Sequence, residues 1–96
     1  MTTANKTQIV FTRGINDRVA DDAVFAKFIV TAMNKFRVAD WGDTAKDDHA
    51  LNDADLKALD AGNYGRILAK YIAPDGTAIF ITRDTEAVVI MFPEEY

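Results

Sequence analysis

The chain has 96 residues, 49% of them hydrophobic, with 15 acidic against 11 basic residues and a formal charge of -4. That is one small domain around one modest core, and its negative balance weakens nonspecific attraction to phosphate backbones while favouring a basic protein surface as partner. Cysteine and serine are both absent, which excludes disulfides, thiolate chemistry, sulfur-ligated zinc and a serine nucleophile.

The opening MTTANKTQ is polar, without the apolar run of a signal peptide, and no apolar segment approaches membrane-spanning length. The expectation is a cytoplasmic protein with a flexible segment over residues 1–7. Gln8 to Arg13 (QIVFTR) reads as a short strand, because Ile9, Val10, Phe11 and Thr12 are β-branched or aromatic. Gly14 ends it, Ile15-Asn16 begins a turn, and Asp17 or Asp21 is placed to cap a helix. From Asp22 to Val38 the spacing of Phe25, Phe28, Ile29, Ala32, Met33 and Phe36 predicts that helix, with one wide apolar face. Lys35 and Arg37 suit the negative end of its dipole.

Gly42 then permits a turn, and Asp43 or Thr44 fits the cap of a second helix. That helix is expected to be interrupted at Asn52-Asp53, a fresh cap, with Leu51, Leu56 and Leu59 as a thin apolar stripe and Ala61-Gly62-Asn63 as its stop. The last third reads as sheet: Arg66–Ala73, the Pro74-Asp75-Gly76 turn, Ala78–Thr82, and Ala87–Phe92. The continuous AVVIMF run suits a central strand. The expected fold is therefore α+β over residues 8–96, in the order β-α-α-β-β-β. Two helices pack on a mostly antiparallel four-stranded sheet, with the first strand either at the meander's edge or beside the last strand.

The chemically distinctive stretch is Asp40 to Asp60, where seven aspartates face Lys46 and Lys57 beside the only tryptophan. An acidic patch around one large aromatic suits a protein interface better than a catalytic pocket. The expected partner-binding residues are Asp40, Trp41, Asp43, Asp47, Asp48, Asp53 and Asp55; the alternatives are a solvated acidic face and a Trp41 sunk beneath the first helix. His49, the only histidine, reads as a surface residue, although Asp53 lies four residues on. A metal site drawing on Asp43, Asp47, His49 or Asp53 is the minor alternative, and residues 40–51 lack the alternation, central glycine and closing glutamate of a calcium loop. Phe80 with Arg83 resembles a base-stacking platform, but the net charge and the lack of lysine clusters argue against direct nucleic-acid binding. No cofactor, no metal and no catalytic residue is expected.

Thr12-Arg13-Gly14, Asp40-Trp41-Gly42-Asp43 and Phe92-Pro93-Glu94-Glu95-Tyr96, with Asn52 and the Ala61-Gly62-Asn63 turn between the latter two, form a pattern over Val10 to Tyr96. It resembles a family of small plasmid-related proteins carried on bacterial plasmids, integrated elements and phages. The resemblance implies an accessory role in a mobile element and no assigned activity. It transfers no catalytic or binding residue; its characteristic residues read as a strand end, a loop staple and a carboxyl-terminal lock. Phe36–Ala39 departs from the pattern in lacking a glycine before the DWGD segment.

Together these point to an acidic accessory protein that binds and inhibits a host protein or nucleoprotein with a basic surface, such as a CRISPR interference complex or another defence assembly. The alternative is a non-catalytic regulatory or scaffold protein of the element, homodimeric through a sheet edge. A small metal-dependent hydrolase and a nucleic-acid-binding module stand behind both.

Overall fold

The computed structural model describes residues 8–96; the flexible segment expected over 1–7 lies outside the described residues. The elements run β1 (Gln8–Phe11), α1 (Arg13–Asp21), α2 (Ala23–Arg37), α3 (Lys46–Asp60), β2 (Ile67–Ile72), β3 (Ala78–Arg83) and β4 (Ala87–Met91), followed by a 3₁₀ turn at Pro93–Glu95. The strand order across the sheet is β1-β4-β3-β2. No helix among the described residues is long and apolar enough to cross a membrane.

This corrects the expected architecture in two respects. The sheet is mixed, because β1 lies parallel to β4 with Ile9 opposite Val88 and Phe11 opposite Ile90, while β2-β3 and β3-β4 are antiparallel. There are also three helices, not two, since Arg13–Asp21 is helical where a turn was expected.

Helix α1 carries only Ile15 and Val19 on its core side, and its start is completed from the far end of the chain. The Thr12 hydroxyl accepts from the Ile15 amide and donates to Glu95 Oε1 at 2.6 Å, while the Gly14 amide donates to Glu95 Oε2 at 3.1 Å. The bonds from Thr12 and from the Phe92 amide hold the Glu95 carboxyl below the usual carboxylate range. It is therefore a charged cap on the positive end of α1. A Cβ on Gly14 would meet Glu95 Oε2 at 2.6 Å, which accounts for the glycine.

Asp22, rather than Asp17 or Asp21, caps α2 by accepting from the Phe25 amide at 3.0 Å. Helix α2 buries the predicted face, Phe25, Ile29 and Ala32, against Ile79, Ile81, Ile90 and Tyr71 of the sheet. Its end is a Schellman motif: the Ala39 amide bonds to Phe36 O and the Asp40 amide to Lys35 O. Ala39 occupies the left-handed position at φ 63°, where glycine is usual. Ala39→Gly is expected to stabilise the protein by about 1 kcal/mol, read as a shift in the urea midpoint; an unchanged or lowered midpoint would contradict this geometry.

Strand alternation sends Ile67, Ala69, Tyr71, Ile79, Ile81 and Ile90 to the helix side, where all are buried. The opposite face has no helix over it. It carries Val10, Leu68, Ile72, Phe80 and Val89, with only the chain's end folding back so that Tyr96 meets Phe80 edge-on at 5.8 Å.

Candidate interaction surface

The Asp40–Asp60 stretch divides into two parts with different work. The first part closes the outer edge of β2. Asn52 is 4% exposed; its side chain donates to Leu68 O at 3.0 Å and accepts from the Leu68 amide at 3.4 Å. The Lys70 amide donates to Thr44 Oγ1 at 2.8 Å, and Lys70 O accepts from the Asp43 amide at 2.8 Å. The Ile72 amide donates to Asp43 Oδ2 at 2.8 Å. All three outward-facing amides of this edge strand are thereby satisfied, so the edge offers no free donor to another strand.

Gly42 makes the close approach possible. It forms a parallel bridge with Lys70, holds φ +61°, and leaves no room for a Cβ beside the Tyr71 ring. Tyr71 is 2% exposed and donates its hydroxyl to Asp40 O at 2.7 Å. Burial, then the charges of Asp40 and Asp43, push its pKa up, so the hydroxyl stays a neutral donor. Trp41 is 3% exposed, meets Phe36 edge-on at 5.5 Å, and donates its indole N–H to Asp53 Oδ1 at 2.9 Å.

Of the seven expected partner-binding residues, four therefore hold the fold. Trp41 is core, Asp53 receives its indole, Asp43 receives Ile72, and Asp40 accepts the Gly42 amide at 3.0 Å through its side chain. Asp43 and Thr44 do not cap α3, whose cap position is Ala45 without a side-chain bond. The expected interruption at Asn52 is also absent: α3 runs unbroken to Asp60, because the amide group that resembled a cap bonds to β2 instead. His49 Nε2 lies 2.9 Å from Thr44 O, inside the same staple. Among the described residues, no three His, Asp or Glu side chains gather to hold a metal.

The second part is the outer face of α3. Asp47 and Asp48 are exposed, Asp55 is half-exposed, and Leu51 is 62% exposed between them. Offsets of four back, three back and four forward from Leu51 put all three carboxylates around one leucine on a helix surface. Leu51 thus leaves the expected buried stripe, and Asn52 and Leu56 take that side instead. The sequence signal that identifies it is the carboxylate at each of those offsets, which a core leucine would not have.

Two other features lack a converging site. Phe80 and Arg83 lie on opposite faces of the sheet by strand alternation, so they form no base-stacking platform. A wide, open depression beside α1 is lined by Asp17, Arg18, Asp21 and Glu94, with Arg18 committed to Asp22 at 3.2 Å and to Asp75 at 3.3 Å.

Comparison with protein-family models, with curated proteins and with solved structures found no match.

Proposed function

We propose that this protein is a non-catalytic acidic binding protein that acts in the cytoplasm as an accessory factor of a mobile element. It covers a basic surface on a host protein or nucleoprotein, such as a CRISPR interference complex, and so inhibits it. The observation that carries the reading is the exposed Leu51 ringed by Asp47, Asp48 and Asp55 on a helix fastened to the sheet. An apolar anchor among carboxylates suits a partner groove with an apolar floor and lysine or arginine walls. The staple supports affinity because α3 enters binding already ordered, so little conformational freedom is lost.

The test is capture from the host with tagged protein, beside Asp47→Lys/Asp48→Lys/Asp55→Lys and Leu51→Ala. Asp53 is left intact, since its loss would release Trp41. Leu51→Ala should stay within about 0.5 kcal/mol of the parent in stability. The charge-reversed form should lose about 1–2 kcal/mol, because Asp47 and Asp48 occupy the first turn of α3, while staying folded by circular dichroism. Capture of one basic protein should fall at least about tenfold in that form. Equal capture by all three forms would sink the reading. Recovery of the chain alone would move the assignment to a self-associating scaffold built through the β1 edge, where Ile9 is 58% and Val10 40% exposed.

A further inference from the structure

The helix layer does not close over the sheet at the β1 end. Between α2 and α3 lies a groove of about 570 Å³ whose accessible surface comes from Ile9, Val88, Met33, Phe36 and Leu56, with the buried Trp41, Ile67 and Ile81 beneath it. Its volume falls within the range of small-molecule sites. The groove is open to solvent at the β1 end rather than an internal void. The exposure of Ile9 on the helix side of the sheet is one consequence.

Among the described residues, the polar side chains in its lining are Asn34, Arg37 and Arg83, and none of them is a carboxylate. In a chain of net charge -4, this apolar groove thus carries two guanidiniums. Neither is committed to a buried acid. Among the described residues, Arg83 reaches only an exposed Asp60 at 3.5 Å, and Arg37 only the Asn34 amide oxygen at 3.4 Å. An exposed pair of that kind contributes little and can be exchanged for a better one.

We propose that this groove binds a small amphipathic carboxylate, its aliphatic chain lying over Ile9 and Val88 against Met33, Phe36 and Leu56 and its carboxylate meeting Arg37 and Arg83. Apolar walls supply affinity through chain burial, and guanidiniums select an anionic head through charge-assisted hydrogen bonds. The site is separate from the outer face of α3, so either assignment can fail without the other.

Isothermal titration calorimetry reads occupancy directly, and Trp41, the only tryptophan, lies 3% exposed beneath the groove in edge contact with Phe36 and serves as a secondary reporter. Hexanoate, octanoate and decanoate are titrated into the unaltered protein, with 1-octanol and octylammonium as uncharged and cationic controls. The expected result is a saturable binding heat whose affinity tightens about fourfold per added methylene, with octanoate at least about tenfold tighter than 1-octanol and octylammonium weaker than both. Arg37→Met/Arg83→Met should erase the preference for the anion while keeping the apolar walls. Val88→Phe should weaken every member of the series by filling the floor; far-UV circular dichroism checks that both variants are folded. No saturable heat in the unaltered protein, octylammonium binding as well as octanoate, or an intact anion preference in the folded double-arginine variant would each overturn the assignment.

Discussion

Gly42→Ala is expected to destabilise the protein by about 3 kcal/mol, the sum of a left-handed backbone penalty and overpacking of a closed site. The residue sits at φ +61°, and an added methyl would collide with the Tyr71 ring and lie 3.1 Å from Lys70 O. Tyr71 has no easy retreat, because it is 2% exposed and its hydroxyl is fixed on Asp40 O. The methyl must therefore push the loop off β2, which breaks the bonds that Asp43 and Thr44 make to Lys70 and Ile72. A loss of that size lowers Tm by roughly 12–24 °C in a domain of this length. Thermal unfolding followed by circular dichroism measures it, and a drop below about 4 °C would mean that the loop does not press on Tyr71 as described.

Asn52→Ala comes next, at about 2–3 kcal/mol. It strips partners from both the amide and the carbonyl of Leu68 at a site where Asn52 itself is 4% exposed. Asn52→Asp separates hydrogen bonding from volume. A carboxylate still accepts from the Leu68 amide but cannot donate to Leu68 O, so it sets acceptor against acceptor and charge in a buried position. The aspartate variant should be at least as damaging as the alanine one in urea unfolding. If Asn52→Asp were tolerated while Asn52→Ala was not, the two-way bond to Leu68 would be the wrong description.

The parts of the fold set by nearby residues were legible in the sequence. The period of Phe25, Phe28, Ile29, Ala32, Met33 and Phe36 specifies α2, the Pro74-Asp75-Gly76 turn specifies the β2-β3 hairpin, and the apolar run at Ala87 specifies a strand with neighbours on both sides. The parts that escaped were set by partners far along the chain. Helix α1 has two core residues and owes its start to Glu95, more than eighty positions away. Its presence places three helices between β1 and the meander, and β1 then enters parallel to β4.

The acidic stretch misled for a related reason. A short polar side chain can cap the helix beside it or bond to a distant backbone, and the two uses look alike in sequence. Asp43, Thr44 and Asn52 all sit where a local cap was expected, and all three bond to β2, between 16 and 29 positions away. Charge identified the segment as a surface but did not say which aspartates already had partners. Leu51 was missed because a leucine in an apolar stripe is ordinarily core; only the carboxylates around it mark it as facing outward. The three motifs behind the family resemblance are stitches in the same sense. Thr12 and Gly14 meet Glu95, and the DWGD segment clips the edge of β2.

Residues 40–53 close the β2 edge and leave Asp47, Leu51, Asp48 and Asp55 on the outer face of a fixed helix. Native-state hydrogen exchange at the amides of Leu68, Lys70 and Ile72 tests it most directly, in the unaltered protein and in Asn52→Ala. All three are expected to exchange only through global unfolding, as slowly as Ala69 and Tyr71 on the β3 side of the strand. In Asn52→Ala the amide of Leu68 should lose that protection more than the other two. Rapid exchange of Leu68, Lys70 and Ile72 in the unaltered protein would contradict it, for the edge would then be open and α3 would not be fastened to the sheet.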